Sequence, residues 1–289
     1  MKPDIAVITL THNKLDCTRK CLTQLLHTQA RNWELIVVDN GSRDGTREWL
    51  RTFRETAAAG KPDVTILCND GNIGCSAARN QGAARAADSV RRLVFIDNDV
   101  TVRSRDWLTR LAAPFETDPQ LGMAGPKLLY PFAPHPIQCA GAAVTRGGRV
   151  VFLGRGEPRE HPEFNVPRET QCLISACCMV CRSAFEEAGG FDEWFHPVEY
   201  EDIDLCYNLR KRGYRIRYLP EVEMYHFENV TTCGTAHLPN TYLIIRNGLR
   251  FKKRWKSMFA TENGPPEAAA RWRRIDVPPF ETIGELPLH

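Results

Sequence analysis

The sequence lacks any long apolar run. Among its 289 residues, the most apolar uncharged stretch covers residues 172–181, which is ten residues, whereas a membrane-spanning helix needs about 20. The apolar run at residues 5–10 is too short for the core of a signal peptide. We therefore expect no export signal and no membrane-spanning segment, and we expect a cytoplasmic protein.

The 11 cysteines lack the even, regular spacing of a disulfide framework. Most lie in apolar runs, so we expect reduced thiols that act as small hydrophobic side chains. Cys178 and Cys181, with Cys172 before them, have a spacing that zinc sites use, but no second Cys or His pair follows at ligand spacing. The sequence therefore disfavours a structural zinc site.

Two common nucleotide-binding loops are also missing. No G-x-G-x-x-G follows the first predicted strand, and no phosphate-loop motif occurs, which disfavours NAD, FAD and ATPase functions. Gly71 and Gly74 precede a predicted helix and resemble a phosphate cradle. Arg79 lies one turn inside that helix, where it either reaches a diphosphate or remains a surface arginine.

A large net charge is absent. The 38 Lys and Arg against 35 Asp and Glu leave +3, which argues against a nucleic-acid partner. The exception is residues 245–274, which hold nine Lys or Arg and two Glu, a net charge of +7. This basic C-terminal region either contacts anionic lipid on the inner face of the membrane or forms a solvated helix face and a loose Pro-rich tail. The basic residues of its predicted helix, residues 238–256, are Arg246, Arg250, Lys252, Lys253, Arg254 and Lys256.

What the sequence does contain is an alternation of strand-like and helix-like segments. Apolar runs at residues 5–10, 35–38, 64–67 and 93–96 are separated by segments with helical spacing. This alternation is typical of a parallel sheet with right-handed crossovers. Ligands bind beyond the carboxyl ends of such strands, where the sequence has its polar residues: Thr11, His12, Asn13, Asp39, Asp97 and Asp99.

The second half has shorter, less regular strand-like runs. We predict an α/β fold with a Rossmann-like, mostly parallel central sheet flanked by helices, together with a smaller mixed sheet. Three parts are expected. Residues 1–100 form a nucleotide-binding half, residues 101–237 form a mixed half of the same domain, and residues 238–289 form the basic helix and tail.

Asp97 and Asp99 are the first candidates for chemistry. They follow the apolar run at residues 93–96, and two such carboxylates can hold a hard divalent cation that neutralises a diphosphate. The alternative is a turn with solvated acids. His226 ends another apolar run and is either a third metal ligand or a hydrogen-bonded structural histidine.

Asp202 is the candidate general base. It lies with Glu201 and Asp204 at a predicted helix start, after the aromatic segment at residues 194–200. Acids at a helix start often serve only the helix dipole, but a carboxylate here can also take a proton from an attacking hydroxyl. Trp194 offers a flat face for a sugar ring.

In this order, the motifs resemble the family 2 inverting glycosyltransferases of the GT-A fold, and most of all the bacterial rhamnosyltransferase-like branch. The resemblance runs from residue 5 to residue 232. The motifs that carry it are IAVITLTHN (5–13), VVDNGSRDGT (37–46), NIG (72–74), AARN (77–80), FIDND (95–99), GGFDE (189–193), EDIDL (201–205) and His226.

The resemblance implies a role for each matched residue. Asp39 would contact the nucleobase, and Asp97 and Asp99 would bind Mg²⁺ or Mn²⁺ with His226 completing the site. Asp202 would be the catalytic base. The remaining implied contacts to the donor nucleotide and its sugar come from Thr11, Asn13, Arg79, Gly190, Phe191, Asp192 and Trp194.

The sequence departs from the family at two places. His12 replaces the usual Tyr, and residues 227–232 replace a Gly/Ser-rich lid. These departures affect the nucleotide-stacking contact and the segment that closes over the donor.

The expected function is metal-dependent, inverting transfer of a sugar from a UDP- or dTDP-type donor to a hydroxyl acceptor. The acceptor can be a glycan, a lipid-linked glycan, a peptide or a small molecule. A sugar nucleotidyltransferase is an alternative, although residues 11–15 are not the Gly-rich basic loop that it needs. A non-catalytic subunit that binds nucleotide-sugar is the other alternative.

Overall fold

The computed structural model describes residues 2–57, 62–228 and 240–289. Its strands are β1 Ile5–Thr11, β2 Trp33–Asp39, β3 Asp63–Cys68, β4 Arg92–Asp97, β5 Val100–Val102, β6 Leu121–Leu129, β7 Ile137–Cys139, β8 Ala142–Val144, β9 Val150–Phe152, β10 Arg168–Glu169, β11 Cys177–Cys181 and β12 Arg215–His226. Its α-helices are α1 Leu15–Leu25, α2 Thr46–Ala57, α3 Cys75–Arg85, α4 Trp107–Thr117, α5 Arg182–Ala188, α6 Glu201–Lys211 and α7 Asn240–Phe259.

The first four strands form the parallel part of the sheet. β1 pairs with β2 on one side and β4 on the other, and β3 pairs with β2. The register sets Thr11 beside Asp39 and Leu10 beside Asp97. The predicted parallel arrangement is confirmed, and the polar strand ends meet at one edge of the sheet.

The second half of the chain extends the same sheet. β11 lies antiparallel beside β4, followed by β6 and then β12, which runs parallel to β6. In the described residues, the separate sheet is the hairpin of β8 and β9, which turns at Gly147 and Gly148. The smaller mixed sheet expected from the sequence is thus largely a mixed continuation of the central sheet.

One predicted strand is shorter than expected. The apolar run at residues 172–181 becomes a strand only from Cys177. The backbone of residues 172–176 instead turns toward other partners, because Cys172 forms an isolated bridge with Ala142 and the amide of Ser175 donates to Asp202. Apolar character alone did not distinguish a strand from a buried loop.

Helices cover both faces of the sheet. Alternate residues of each central strand face opposite sides, so Ile8 and Ile36 belong to one buried cluster while Val7 and Leu35 belong to the other. The first cluster is covered by α3, α5, α6 and α7, and the second by α1, α2 and α4. This three-layer arrangement is the predicted α/β architecture.

The expectation of a loose C-terminal tail is wrong. Glu262 forms an ion pair with Arg210 at 2.8 Å, and Lys20 Nζ donates to the carbonyl of Gly284 at 3.0 Å. The amide of His289 donates to the carbonyl of Arg103 at 2.8 Å. The tail has little regular secondary structure, and it is held by scattered contacts that leave no periodic pattern in the sequence.

A bilayer-crossing helix would need a longer apolar stretch than any helix provides in the described part of the chain.

Candidate active site

A cavity of about 240 Å³ lies beyond the end of β4. Five of the residues predicted from the sequence line it: Arg79, Asp97, Asp99, Asp202 and His226. The other lining residues are Phe152, Ile174, Ser175, Ala176, Val198, Glu199, Tyr200, Glu201, Glu228, Ile244 and Trp272. Acids that are far apart in the sequence therefore share one pocket.

Asp97, Asp99 and His226 form a cluster with the spacing of a metal site. One ligand atom from each lies within 4.8 Å of the others. Their positions follow from the sheet, since Asp97 ends β4 and the antiparallel pairing of β12 with β5 sets His226 opposite Val100. Two carboxylates and an imidazole are suitable ligands for a divalent cation such as Mn²⁺.

The orientation of His226 is fixed by Gln138. Its Nδ1 lies 2.6 Å from Gln138 Oε1, which as an amide oxygen accepts the hydrogen bond. The other ring nitrogen, Nε2, lies 3.4 Å from Asp99 Oδ1. Burial alone would lower the pKa of His226, but the neighbouring Asp99 raises it above its ordinary value. Because Nδ1 carries a hydrogen, Nε2 is the atom available to a cation.

Arg79 joins the two sides of the cavity. It is buried, and it donates to Asp97 Oδ1 and to Glu201 Oε1, both at 2.8 Å. Burial raises the pKa of Glu201 to about 7, although Arg79 acts in the opposite direction. Burial also raises the pKa of Asp97 against the same opposing effect of Arg79. Arg79 is thus an internal partner of both acids and not a surface arginine.

Asp202 lies in the first turn of α6. Its Oδ2 accepts from the amide of Ser175 at 3.0 Å, and its Oδ1 accepts from the amide of Ile203 at 2.7 Å. The two residues just before α6, Glu199 and Tyr200, have φ values of 84° and 74°, which non-glycine residues rarely adopt. Such a backbone persists only where surrounding contacts hold it.

Asn247 of α7 supplies several of those contacts. Its side chain is fully buried, and Nδ2 lies 2.7, 2.8 and 3.0 Å from the carbonyl oxygens of Phe195, Val198 and Glu199. These oxygens belong to the loop that leads into α6. A residue 45 positions after Asp202 in the sequence therefore fixes the approach to the candidate base.

The predicted nucleotide contacts Thr11, Asn13 and Asp39 lie at the same edge of the sheet, outside the lining of the cavity. Asp39 is fully buried and forms a 2.9 Å ion pair with Arg47. Asn13 Oδ1 accepts from the amide of Arg43 at 2.8 Å, which links the loops after β1 and β2. Thr11 Oγ1 lies 2.7 Å from Thr18 Oγ1.

The predicted sugar contacts from residues 190 to 194 do not line the cavity. Phe191 is buried, with the guanidinium of Arg79 5.4 Å from its ring centre. Gly190 has a φ of 75°, and a Cβ there would come within 2.7 Å of Asn80 Oδ1. Phe191 therefore packs against Arg79, and Gly190 allows the close approach of Asn80.

Asp192 and Trp194 instead meet α7. Asp192 Oδ2 forms a 2.7 Å ion pair with Arg254. The guanidinium groups of Arg250 and Arg254 lie 5.0 and 4.9 Å from the ring centre of Trp194. The ring of Trp194 therefore contacts two arginines of α7.

Sequence reasoning missed several residues of the site. Glu201 stood beside the candidate base but received no role, although its burial raises its pKa. Gln138 and Asn247 carried no signal, because their importance depends on partners far away in the sequence. Trp272 lies in the tail, yet it lines the cavity and is 60% exposed.

The predicted lid lies partly outside the described residues. Residues 229–232 are among those that the structure does not describe. Of the two that are described, Glu228 forms an ion pair with Arg155 at 2.8 Å and Phe227 packs against Phe280 with ring centres 4.8 Å apart.

Comparison with known proteins identifies the sequence family. The family described as glycosyl transferase family 2 matches residues 6–189. The pre-mycofactocin glycosyltransferase of Mycobacterium tuberculosis is 30% identical over 218 residues, which are 75% of this chain and 41% of that protein. The N-acetylglucosaminyl-diphospho-decaprenol L-rhamnosyltransferase of the same species is 27% identical over 264 residues, 83% of each chain.

The fold is also found among solved structures. The crystal structure of GalNAc-T7 with UDP, GalNAc and Mn²⁺ superposes with a TM-score of 0.71 at 16% identity, covering 89% of this chain and 49% of that one. The predicted GT-A fold is thereby confirmed. The chain spans less than half the length of both this protein and the pre-mycofactocin enzyme.

Proposed function

Because the chain belongs to glycosyltransferase family 2, we propose that it is a metal-dependent inverting enzyme that transfers a sugar from a nucleoside-diphosphate donor to a hydroxyl group. The observation that carries this proposal is the single cavity lined by the cluster Asp97, Asp99 and His226 on one side and by Asp202 on the other. The cluster suits a cation on the diphosphate, and Asp202 lies outside that cluster.

Asp97, Asp99 and His226 would hold Mg²⁺ or Mn²⁺. When bound, the cation would offset the negative charge that develops on the departing nucleoside diphosphate. Gln138 keeps the hydrogen of His226 on Nδ1, so that Nε2 faces the two carboxylates. Arg79 supports the same region, since it orients Asp97 and adds a fixed positive charge nearby.

Asp202 would take the proton of the acceptor hydroxyl. The acceptor oxygen then forms a bond to the anomeric carbon while the bond from that carbon to the diphosphate oxygen breaks. Attack from the face opposite the leaving group inverts the anomeric configuration. The hydrogen bond from the Ser175 amide orients one carboxylate oxygen, which supports a fixed position for the base.

Thr11, Asn13 and Asp39 would bind the nucleoside, at the strand edge where α/β folds bind nucleotides. Asp39 shares its carboxylate with Arg47, so a base contact would use Asp39 and Arg47 together. Asp192 and Trp194 would act through α7, Phe191 through Arg79, and Gly190 through Asn80. We propose a UDP- or dTDP-type donor.

The acceptor would enter past the apolar wall of the cavity. Phe152, Ile174, Ile244 and Trp272 form this wall. Trp272 is the exposed aromatic residue among them, and aromatic faces stack on sugar rings. The similarity to a rhamnosyltransferase with a lipid-linked acceptor makes a saccharide on a lipid diphosphate the first acceptor to test.

A panel of nucleotide-sugars with Mn²⁺ tests the proposal. Donor binding is followed by thermal shift, and the anomeric configuration of the product is determined by NMR. An inverted product with a UDP- or dTDP-sugar is expected. Retention of configuration would contradict the mechanism, and donor binding without transfer or hydrolysis would favour the non-catalytic subunit.

A further inference from the structure

The first half of α7 exposes a cluster of large apolar side chains. The described part of the chain has eight large hydrophobic residues that are exposed, and four of them lie in the first ten residues of this helix. They are Tyr242, Ile244, Ile245 and Leu249, with 51%, 40%, 58% and 63% of their surface exposed. The other four are scattered through the sequence: Ile73, Val166, Trp194 and Trp272.

Three of these side chains, Tyr242, Ile245 and Leu249, belong to one outward stripe. The inner face of α7 is buried through Leu243, Asn247, Phe251, Trp255 and Phe259. The opposite face runs along helical spacing through Tyr242, Ile245, Leu249, Lys253 and Lys256, and we name these five residues the outer stripe of α7. At 1.5 Å per residue, the outer stripe is about 20 Å long. Its first half is apolar and its second half is basic.

The charge of α7 is of one sign. Residues 240–259 contain six Lys or Arg and no Asp or Glu. Three of these residues have internal partners: Arg254 pairs with Asp192 and Asp204, and Arg246 and Arg250 donate to the carbonyls of His196 and Trp194. The other three, Lys252, Lys253 and Lys256, form no ion pair with any described residue. The unpaired charge of the helix is thus concentrated in its second half, and two of the three lysines lie on the outer stripe.

We propose that the outer stripe of α7 docks on the surface of an anionic lipid bilayer. Tyr242, Ile245 and Leu249 enter the boundary between headgroups and acyl chains, and the two lysines contact lipid phosphates. Amphipathic helices with apolar and basic parts bind membranes in this way. The outer stripe contains lysines and no acid, so its charge is complementary to that of an anionic surface.

This orientation would bring the catalytic cavity to the membrane. Ile244, next to the outer stripe, also lines the cavity. If the proposed transfer function is correct, docking places the acceptor entrance beside the lipid headgroups, which suits an acceptor with a lipid anchor. The docking itself does not depend on the transfer function.

Vesicle flotation tests the docking. The full chain is mixed with phosphatidylcholine vesicles with or without phosphatidylglycerol, and the bound fraction is measured at low and high salt. We expect binding that requires phosphatidylglycerol and weakens with salt. Absence of binding to both kinds of vesicle would overturn the proposal.

Three variants sharpen the test. The double variant Ile245→Ser/Leu249→Ser should lose at least about ten-fold in vesicle affinity, and Lys253→Gln/Lys256→Gln about thirty-fold, as expected for two charges near an anionic surface. Val166→Ser removes an equally exposed apolar side chain outside α7 and should bind like the wild type. An equal loss in Val166→Ser would contradict the proposal.

Two further measurements separate the remaining outcomes. Thermal melting and Mn²⁺-dependent donor binding without vesicles should be unchanged in all variants, because the substituted side chains face solvent. If the wild type instead forms a concentration-dependent dimer that Ile245→Ser/Leu249→Ser abolishes, while vesicle binding is unaffected, the outer stripe is a contact between two copies and the lipid proposal is wrong.

Discussion

The two sides of the cavity are built in different ways. On the side of the proposed metal site, here called the metal side, Asp97, Asp99 and His226 come from or directly follow the ends of strands, and the pairing of β12 with β5 sets their spacing. On the side of the proposed base, here called the base side, Asp202 follows a loop with a rare backbone conformation. Hydrogen bonds from the single side chain of Asn247 hold that loop.

This difference shows where the site is vulnerable. A backbone ladder spreads its stabilisation over many residues, so one substitution in β5 or β12 changes little of it. The loop before α6 has three of its carbonyls within hydrogen-bond distance of the Asn247 side chain, so one substitution there removes several contacts at once. We therefore expect the geometry of the metal side to change only when one of its ligands is substituted. The position of Asp202 should also change when a distant residue is substituted.

The largest effect is expected from removing the base itself. Asp202→Asn should lower kcat by about 10²–10⁴-fold while the affinity for donor and Mn²⁺ stays the same. Steady-state kinetics and calorimetry measure the two quantities. Asp106→Asn, at an exposed acid paired with Arg110, is the control. Near-wild-type turnover of Asp202→Asn would exclude Asp202 as the base.

Breaking the metal side should give the opposite pattern. Asp99→Ala should weaken Mn²⁺-dependent donor binding by about ten-fold or more, because one carboxylate ligand is lost. Without a divalent cation, variant and wild type should bind the donor equally. Calorimetric titrations with Mn²⁺ and with EDTA make the comparison, and an unchanged affinity in Mn²⁺ would remove Asp99 from the metal site.

Asn247→Ala tests whether the base side can be loosened from a distance. We expect about a ten-fold lower kcat with unchanged Mn²⁺-dependent donor affinity, and about 1–3 kcal/mol lower stability, because buried carbonyls lose their donor. Urea unfolding and kinetics are the measurements. Asn208→Ala removes two side-chain hydrogen bonds, one donated to the carbonyl of Ala188 and one accepted from Arg212, and should leave kcat unchanged. Equal losses of kcat and donor affinity would argue against a loop-specific effect.

Trp272 should matter for the acceptor alone. Trp272→Ala is expected to raise the KM for a saccharide acceptor about five-fold, which corresponds to the loss of one aromatic stacking contact. Donor hydrolysis without acceptor should not change. Trp194→Ala, at the tryptophan outside the cavity lining, provides the matched comparison, and an equal rise in KM there would remove the special role of Trp272.

The smallest expected effect is on the pH dependence of stability. The pKa of Glu201 is about 7 in the folded protein against an ordinary value of 4.5. Between these pH values the Glu201 carboxyl is deprotonated in the unfolded chain and protonated in the folded protein. The contribution of Glu201 to the free energy of unfolding therefore falls as the pH rises from about 5 to about 7. In metal-free buffer, Glu201→Gln should reduce the stability difference between pH 5.5 and pH 8 by roughly 1–3 kcal/mol. Urea midpoints at the two pH values measure it, and an unchanged difference would contradict the raised pKa.

The same contrast explains what could be predicted from the sequence. Asp97 and Asp99 were found because parallel strands bring their carboxyl ends together, a rule that needs only the positions of the apolar runs. His226 was predicted because it ends an apolar run and the two aspartates made a third ligand plausible. The ladder that sets it opposite Val100 involves a three-residue strand, β5, which gave no periodic signal of its own.

The support of the base side could not be predicted. Asn247 lies about 50 residues from the carbonyls that it bonds, and an asparagine within a helix has no pattern that identifies its partners. Trp194 shows the reverse case. Its place in an aromatic segment predicted a sugar contact, which stays a prediction. The pattern gave no sign of the two arginines of α7 that lie near its ring, because those contacts depend on how α7 packs.

The two faces of helix α7 could couple membrane binding to the position of Asp202. Its inner face holds the loop of the base through Asn247, and its outer face carries the apolar and basic residues that suit a lipid surface. Because both faces belong to one helix, a displacement of the outer face of α7 also displaces the inner face. If the protein binds a bilayer through the outer stripe, a shift of α7 on binding would also shift the loop that precedes Asp202, the proposed base. Membrane binding and a change in activity would then be coupled through this one helix.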